Sequence, residues 1–123
     1  MTSHSHHTKY INLEHVYGIS RGDKDKILKY LNQFNELIPE RLDLLNRALL
    51  LKNREQVRQI IHKMSPQLQF FGIQSISHHI HKLELDFKTM PFSELTAMVN
   101  DIILNLEQAI KEVHSTIIDL ETN

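Results

Sequence analysis

The chain has 123 residues, of which 41% are hydrophobic and 24% are charged, and its formal net charge is −1 at pH 7. This length predicts one domain with a single core, and the near-zero charge gives no basis for a nucleic-acid-binding surface. Cysteine is absent, which excludes a disulfide framework, a thiolate nucleophile and a cysteine-based zinc site. Because no apolar run is long enough to cross a bilayer and the start lacks the apolar core of a signal peptide, we expect a soluble cytoplasmic protein.

The first part of the chain is polar, and a helical region is predicted to follow it. Few glycines and prolines, and many residues that favour helices, indicate an all-α fold. Residues 1–9 are polar and histidine-rich, and we expect a disordered tail there, followed by a helical domain at residues 10–121. A short first helix is predicted to have Asn12 as its N-cap and Gly18 just past its end.

A long second helix is predicted from about Asp23, its N-cap, to Leu51. Pro39 lies inside this helix and is expected to bend it, because the ring offers no N–H and displaces the carbonyl of Asn35. Apolar residues recur at three- and four-residue steps, which is the spacing of one buried stripe. The stripe consists of Ile27, Leu28, Leu31, Phe34, Ile38, Leu42, Leu45 and Leu49.

Three more helices are predicted in the second half of the chain. The third begins after an Asn53 cap and ends near Gly72, and the fourth covers about residues 73–88. The last opens at Pro91 or Ser93 and continues to the end of the domain. Four amphipathic helices with short loops are expected to pack as an antiparallel up-down four-helix bundle, with the short additional N-terminal helix at one end.

A helical wheel of the third helix separates a core face from a solvent face. The core face holds Val57, Ile60, Ile61, Met64, Leu68 and Phe71. His62 lies about 150° from the middle of this stripe and is predicted to face solvent. Arg58 and Gln69 share its face, Ser65 lies toward the flank, and Phe70 is outside the stripe. Exposure alone is a weak sign of function, because most exposed histidines are ordinary surface residues.

The segment "HKMSPQLQFFGI" resembles the core motif of histidine-containing phosphotransfer (HPt) domains, roughly His-x-Leu-Lys-Gly-Ser with a glycine ten residues after the histidine. His62, Met64 and Gly72 match this motif in order and spacing, and Pro66 replaces the motif glycine. The segments "LEHVYGISRGDKDKILKYLNQF" and "IPERLDLLNRAL" are similar to the first two helices of the family, so the resemblance covers nearly the whole chain. Ser65 departs from the usual lysine, which is thought to help hold the phosphoryl group.

The resemblance implies a phosphoryl carrier of a two-component phosphorelay. Nε2 of His62 would accept a phosphoryl group from a receiver-domain aspartate and pass it to another receiver. Phe70 is the candidate for partner docking, with packing under a neighbouring element as the alternative. The surroundings of the imidazole and phosphoryl group would be Arg58, Lys63, Ser65, Pro66, Gln69 and Gly72.

The same resemblance implies response-regulator receiver domains and a hybrid sensor histidine kinase as the partners of a monomeric carrier. We expect no cofactor of its own, because Mg²⁺ belongs to the partner receiver. The chain has neither a Walker loop nor G-x-G-x-x-G, so it is not expected to phosphorylate itself. Whether such a non-autonomous carrier counts as an enzyme is left open, and binding to nucleic acid or to a membrane is not expected.

A second interpretation is a helical adaptor that binds a receiver or kinase without carrying phosphate. Ser65 favours this adaptor, because serine can donate a hydrogen bond but brings no charge to a phosphoryl group. Lys63 and Arg58 would compensate only in part, since Lys63 lies about 100° around the helix from His62.

A third interpretation is metal binding. His78 and His81 are three residues apart on the outer face of the fourth helix, but a stable zinc site needs three or four ligands, and Glu84 is predicted to be turned away from them. If the initiator methionine is removed, His4 stands third in the chain, a pattern suited to square-planar Cu(II) or Ni(II). We regard the first pattern as a solvated helix face and the second as part of a disordered tail, and predict no metal site.

Overall fold

The structure of the protein, a computed structural model, describes residues 6–122, and its helices follow the predicted order. The five helices are α1 (Glu14–Ser20), α2 (Lys24–Leu50), α3 (Arg54–Phe70), α4 (Ser77–Asp86) and α5 (Phe92–Thr122). The all-α prediction is therefore confirmed, whereas the predicted tail at residues 1–5 lies outside the described residues. Across residues 6–122, no helix has the length and apolar character needed to cross a membrane.

The four longer helices pack in a ring, in which α2 lies against α3 and α5, and α4 lies against the same two helices. Side-chain pairs give the direction of packing between α4 and α5. Lys82 is 3.0 Å from Glu94, and His79 is 3.3 Å from Asp101, so the residue numbers fall along one helix as they rise along the other. With α1 packed on α2, this is the predicted antiparallel bundle with a short additional helix.

The core is built from the predicted apolar stripes. The six core-face residues predicted for the third helix are all buried, five within α3 and Phe71 just after it. In α2 the stripe is buried except for Leu28 and Leu49, which are partly buried against it. The core of α5 consists of Leu95, Met98, Val99, Ile102, Ile103, Leu106, Ala109, Val113 and Ile117. By contrast, α4 buries only Leu83 within its own bounds. The fourth helix therefore has the weakest apolar attachment of the four.

The limits of α1 differ in part from the prediction. The predicted N-cap Asn12 is one residue early, because the N-cap position is Leu13, which makes no side-chain capping bond. The Oδ1 of Asn12 nevertheless accepts a hydrogen bond from the N–H of Glu14 at 3.0 Å. The predicted end before Gly18 is wrong. The helix continues through Gly18 to Ser20, three residues further, and turns only at Arg21 and Gly22, whose φ angles are 52° and 75°.

The fourth helix is shorter than the predicted range 73–88. Residues 73–76 form the connection from α3, and the residues after Asp86 form the turn toward α5. Ile73, Ile76 and Phe87 are nevertheless buried, so they continue the apolar spacing of the helix although they lie outside it. The apolar spacing therefore led to a predicted helix that is too long at both ends.

Residues 6–9, predicted to belong to the tail, contact the bundle. The ring of His6 stacks on Tyr17 with 3.9 Å between ring centroids. The N–H of Tyr10 donates to the carboxylate of Glu112 on α5 at 3.0 Å. This N-terminal segment is thus attached to α1 and to the last helix at once.

Candidate functional site

The ends of α3 are fixed by the residues that the sequence singled out. Asn53 is the N-cap, and its side chain accepts a hydrogen bond from the N–H of Gln56 at 3.0 Å. At the other end Gly72 has a φ of 64°, and the N–H of Ile73 donates to the carbonyl of Leu68 at 2.9 Å. This is the hydrogen-bond pattern of a Schellman motif, which needs a left-handed residue after the helix. Both predicted ends are confirmed.

Gly72 also allows the N-terminal segment to cross the end of α3. The N–H of Asn12 donates to the carbonyl of Phe71 at 2.9 Å, and a Cβ at position 72 would lie 2.6 Å from the backbone oxygen of Asn12. Ten residues of helix place Gly72 about 15 Å from His62 along the axis. Its predicted place in the surroundings of the imidazole is therefore corrected: it shapes the helix end and not the histidine site.

His62 lies in the middle of α3 and faces solvent, as the wheel predicts. Its side chain is 66% exposed, while its neighbours Ile61 and Met64 are fully buried. Its Nδ1 is 2.9 Å from Oε1 of Glu84 on α4, a carboxylate that is 33% exposed. The imidazole is thus accessible and held on one edge by an acceptor.

Glu84 was missed as a partner of His62. It lies four residues after Ile80, so both share the face of α4 that is turned toward α3. A helical wheel of α4 contains this signal. The sequence alone, however, does not give the register in which α4 packs on α3, and that register decides which residue meets the histidine.

A groove between α3 and α4 runs beside His62. It contains the predicted site residues Ser65 and Gln69 and, from the far side, residues that were not predicted for the site. Its apolar floor consists of Leu68, Ile73 and Ile80, and its remaining rim of Ser77, His78, His81 and Glu84. His62 is therefore exposed at the edge of a mixed polar and apolar surface.

His78 and His81 of α4 line this groove together with Glu84, whose carboxylate lies 2.9 Å from Nδ1 of His62. Within the part of the chain that the structure describes, no three His, Cys, Asp or Glu side chains form a group that could hold a metal ion. The candidate copper or nickel ligand His4 lies outside that part.

Ser65 does not offer its hydroxyl to the histidine. Its Oγ donates to the carbonyl of Ile61 at 3.2 Å, which is a common bond of serines inside helices. Pro66, which is exposed inside α3, has no N–H to give to the carbonyl of His62. The bends expected at Pro66 and Pro39 remain predictions.

The two nearby cations are also directed elsewhere. The guanidinium of Arg58 donates to Glu55 at 2.9 Å and lies 5.3 Å from the centroid of the Phe87 ring. This hydrogen bond holds the pKa of the Glu55 carboxyl below its usual value. Lys63 is exposed. Of the charged side chains near His62, the one in contact with its ring is the carboxylate of Glu84.

Phe70 packs against the N-terminal part of the bundle. Its ring makes edge contacts with His15 and Tyr30, each with 5.1 Å between centroids, and it is half-buried. This position agrees with the packing alternative, and a role in docking remains a prediction.

Comparison of the chain with protein-family models, with curated proteins and with solved structures found no match. The class of the protein is therefore described from its fold and site alone: it is an all-α bundle with an exposed histidine on its third helix.

Proposed function

We propose that the protein is a histidine phosphotransfer protein of a two-component phosphorelay. It would accept a phosphoryl group on His62 from a receiver-domain aspartate and pass it to another receiver. The observation that carries this proposal is the exposed imidazole on α3, whose Nδ1 lies 2.9 Å from Glu84. The motif around Met64 and Gly72 supports it, together with the bundle architecture.

The chemistry makes small demands on the carrier. Phosphoryl transfer proceeds through a loose transition state, so it depends mainly on positioning and on stabilisation of charge. Under this proposal the receiver supplies the Mg²⁺ and the acidic pocket, and the bundle supplies a nucleophilic nitrogen on a rigid helix. A rigid element suits this task because a small displacement of the reacting atom costs much of the rate.

The proposal includes its partners. A hybrid sensor histidine kinase and response-regulator receivers would bind over the exposed face of α3, where Pro66 and Gln69 flank the histidine. The carrier would work as a cytoplasmic monomer without a cofactor of its own.

The test uses the full chain, several phosphorylated receiver domains and Mg²⁺. We expect an acid-labile, alkali-stable label on the wild-type protein and none on His62→Gln. His81→Gln is the matched control, because His81 is an exposed histidine of the same groove and its loss should leave the label intact. Label that survives His62→Gln would assign the chemistry to another histidine.

The second candidate is an adaptor that binds a receiver or kinase without carrying phosphate. It is favoured by the hydroxyl of Ser65, which is bonded to the helix backbone, and by Arg58, which is paired with Glu55. Neither side chain is then directed at a phosphoryl group on His62. Binding to a receiver in calorimetry, without labelling by any phosphorylated receiver, would support the adaptor and reject the carrier.

A further inference from the structure

We propose that one end of the bundle, at the turn between α2 and α3, is a docking surface for an acidic amphipathic helix of a partner protein. We call this region the end surface. It consists of Leu49, Leu50, Leu51 and Phe92, with Arg47 and Lys52 at its rim. The proposal goes beyond the proposed function and does not rest on it, because none of these residues takes part in the chemistry of His62.

Two consecutive leucines at this end are exposed to solvent. Leu50, the last residue of α2, is 84% exposed, and Leu51 is 74% exposed. Single exposed leucines are common on protein surfaces and need no explanation. Two leucines in sequence beside an apolar groove form a continuous apolar surface, and such surfaces mark interaction sites.

The groove beside these leucines lies between the end of α2 and the start of α5. It has a volume of about 460 Å³ and is lined by Asn46, Leu49, Leu50, Phe92 and Thr96. Pockets that hold a ligand have volumes of roughly 300–1,000 Å³. In the ring of four helices, α2 and α5 form one side, and α3 and α4 form the opposite side. A segment bound in this groove therefore leaves His62 accessible.

The turn that carries the leucines is held by hydrogen bonds. The N–H of Asn53 donates to the carbonyl of Ala48 at 2.9 Å, and the N–H of Lys52 donates to the carbonyl of Leu49 at 3.0 Å. This is the pattern of a Schellman motif, whose left-handed position is usually a glycine. Here the position is taken by Lys52, whose φ of 53° is unfavourable for a residue with a Cβ. A lysine where glycine is favoured points to a role for its charge.

The unpaired charges nearest to the leucines are positive. Arg47 and Lys52 are exposed, and across residues 6–122 neither forms an ion pair. The acids nearest to this end, Glu55 and Glu94, are already paired with cations, and Asp43 lies one turn further along α2 than Arg47. Cations at the end of a helix also favour its dipole, which accounts for the charges but not for the leucines. An apolar helix face flanked by carboxylates complements both.

Two other occupants fit this surface less well. A second copy placed end to end would bring Arg47 and Lys52 against the same cations, and the contact of like charges disfavours that pairing. A bilayer of anionic lipids would attract the cations, but a flat surface meets the projecting Leu51 and does not fill a groove on the side of the bundle. A helix fills such a groove, because its apolar side chains project at three- and four-residue steps.

The first experiment uses two synthetic helical peptides as probes. One has leucines at three- and four-residue steps and glutamates elsewhere, and the other has lysines in place of the glutamates. Each is titrated into the ¹⁵N-labelled full chain while the backbone amide signals are followed by NMR. We expect the acidic peptide to bind, with shifts centred on residues 46–52 and 92–96, and its affinity to fall as salt is added. No binding, shifts centred elsewhere, or equal binding of the lysine peptide overturns the proposal.

Leu50→Ser tests the apolar part of the end surface. It should weaken binding of the acidic peptide roughly tenfold or more, which is the loss expected for one leucine that becomes buried. Leu85→Ser is the matched control, because Leu85 is 70% exposed on α4, which does not border the groove. Its affinity should stay that of the wild type, and the unfolding curves of both variants should match the wild-type curve. Equal affinities of the two variants overturn the proposal.

Lys52→Gly separates the binding role of this lysine from its structural one. Glycine relieves the left-handed strain, so the midpoint of urea unfolding should rise. The lost charge should at the same time weaken binding of the acidic peptide roughly twofold to fivefold, as for an exposed ion pair. A more stable protein with unchanged affinity rejects the complementarity of charge on which the choice of partner depends.

Two further measurements test the other occupants. Vesicles of phosphatidylcholine and phosphatidylserine are added to the labelled chain, and the mass of the chain alone is measured by sedimentation at increasing concentration. We expect no shift of the end-surface amides with vesicles and a constant monomer mass. Vesicle binding through the end surface without peptide binding, or a doubled mass that Leu50→Ser abolishes, assigns the surface to a membrane or to a second copy and overturns the proposal.

Discussion

At the scale of single residues, Gly72 combines two demands that an alanine cannot meet. Its φ of 64° lies in the left-handed region, and the backbone oxygen of Asn12 lies 2.6 Å from where a Cβ would stand. Gly18 meets neither demand, because it lies inside α1 with no neighbour within 4 Å of such a Cβ. The two glycines therefore form a natural pair for comparison.

We predict opposite effects for alanine at these two positions. Gly72→Ala should lower the free energy of unfolding by about 2 kcal/mol or more, from left-handed strain and the displaced Asn12. Gly18→Ala should raise it by roughly 0.5–1 kcal/mol, because glycine inside a helix costs conformational entropy. Urea unfolding measures both values, and equal effects would contradict the structural role of Gly72.

At the scale of elements, α4 depends on polar attachments because its own bounds bury only Leu83. Arg54 connects the start of α3 to the turn after α4 through the carbonyls of Phe87 and Met90. Its guanidinium also lies 5.6 Å from the centroid of the Phe92 ring at the start of α5. One side chain therefore joins three helices.

We predict that Arg54→Ala destabilises the protein by about 2 kcal/mol, because hydrogen bonds from charged groups contribute roughly 1.5–3 kcal/mol. Hydrogen exchange should show the loss first at the amides of α4, the helix with the fewest apolar anchors. Arg54→Lys keeps the charge without the planar fork and should lose most of the same stability.

Arg47→Ala is the control for this series, since Arg47 is an exposed arginine near the end of α2. Exposed substitutions of this kind usually stay within about 0.5 kcal/mol. Unchanged exchange of the α4 amides in Arg54→Ala would show that α4 is attached by other contacts.

The helices also show what the sequence could predict. The long stripes of α2 and α3 and the Asn53 cap follow from local spacing and cap chemistry, and they were predicted. The limits of α4 were not, because Ile73 and Phe87 are buried from turns and not from a helix. The exposure of His62 is a local property, whereas its contact with Glu84 depends on how two helices pack.

At the scale of the whole molecule, two titratable groups in different places both make the stability of the fold decrease at alkaline pH. Burial raises the pKa of the Tyr17 phenol above its usual 10.0. The hydrogen bond from Lys82 to Glu94 raises the pKa of that amine above 10.5. When folding raises the pKa of a group, the stability that the group contributes is fully present at pH values below its usual pKa. This contribution is lost as the pH rises through the raised pKa of the folded state.

We therefore predict that the free energy of unfolding falls as the pH rises above about 10. Tyr17→Phe keeps the stacked ring beside His6 but cannot ionise, so its stability should match the wild type at pH 7 and fall less steeply above pH 10. Urea unfolding at a series of pH values measures this. Parallel curves for the two proteins would show that the phenol plays no part.

The segment before α1 is anchored far along the chain, since 102 residues separate Tyr10 from its acceptor Glu112. During synthesis at about 5–20 residues per second, the N-terminal segment therefore waits roughly 5–20 seconds for that acceptor to be made. The histidine-bearing helix α3 can form and pack against α2 in that interval, while the N-terminal segment that covers its end still lacks its distant anchor.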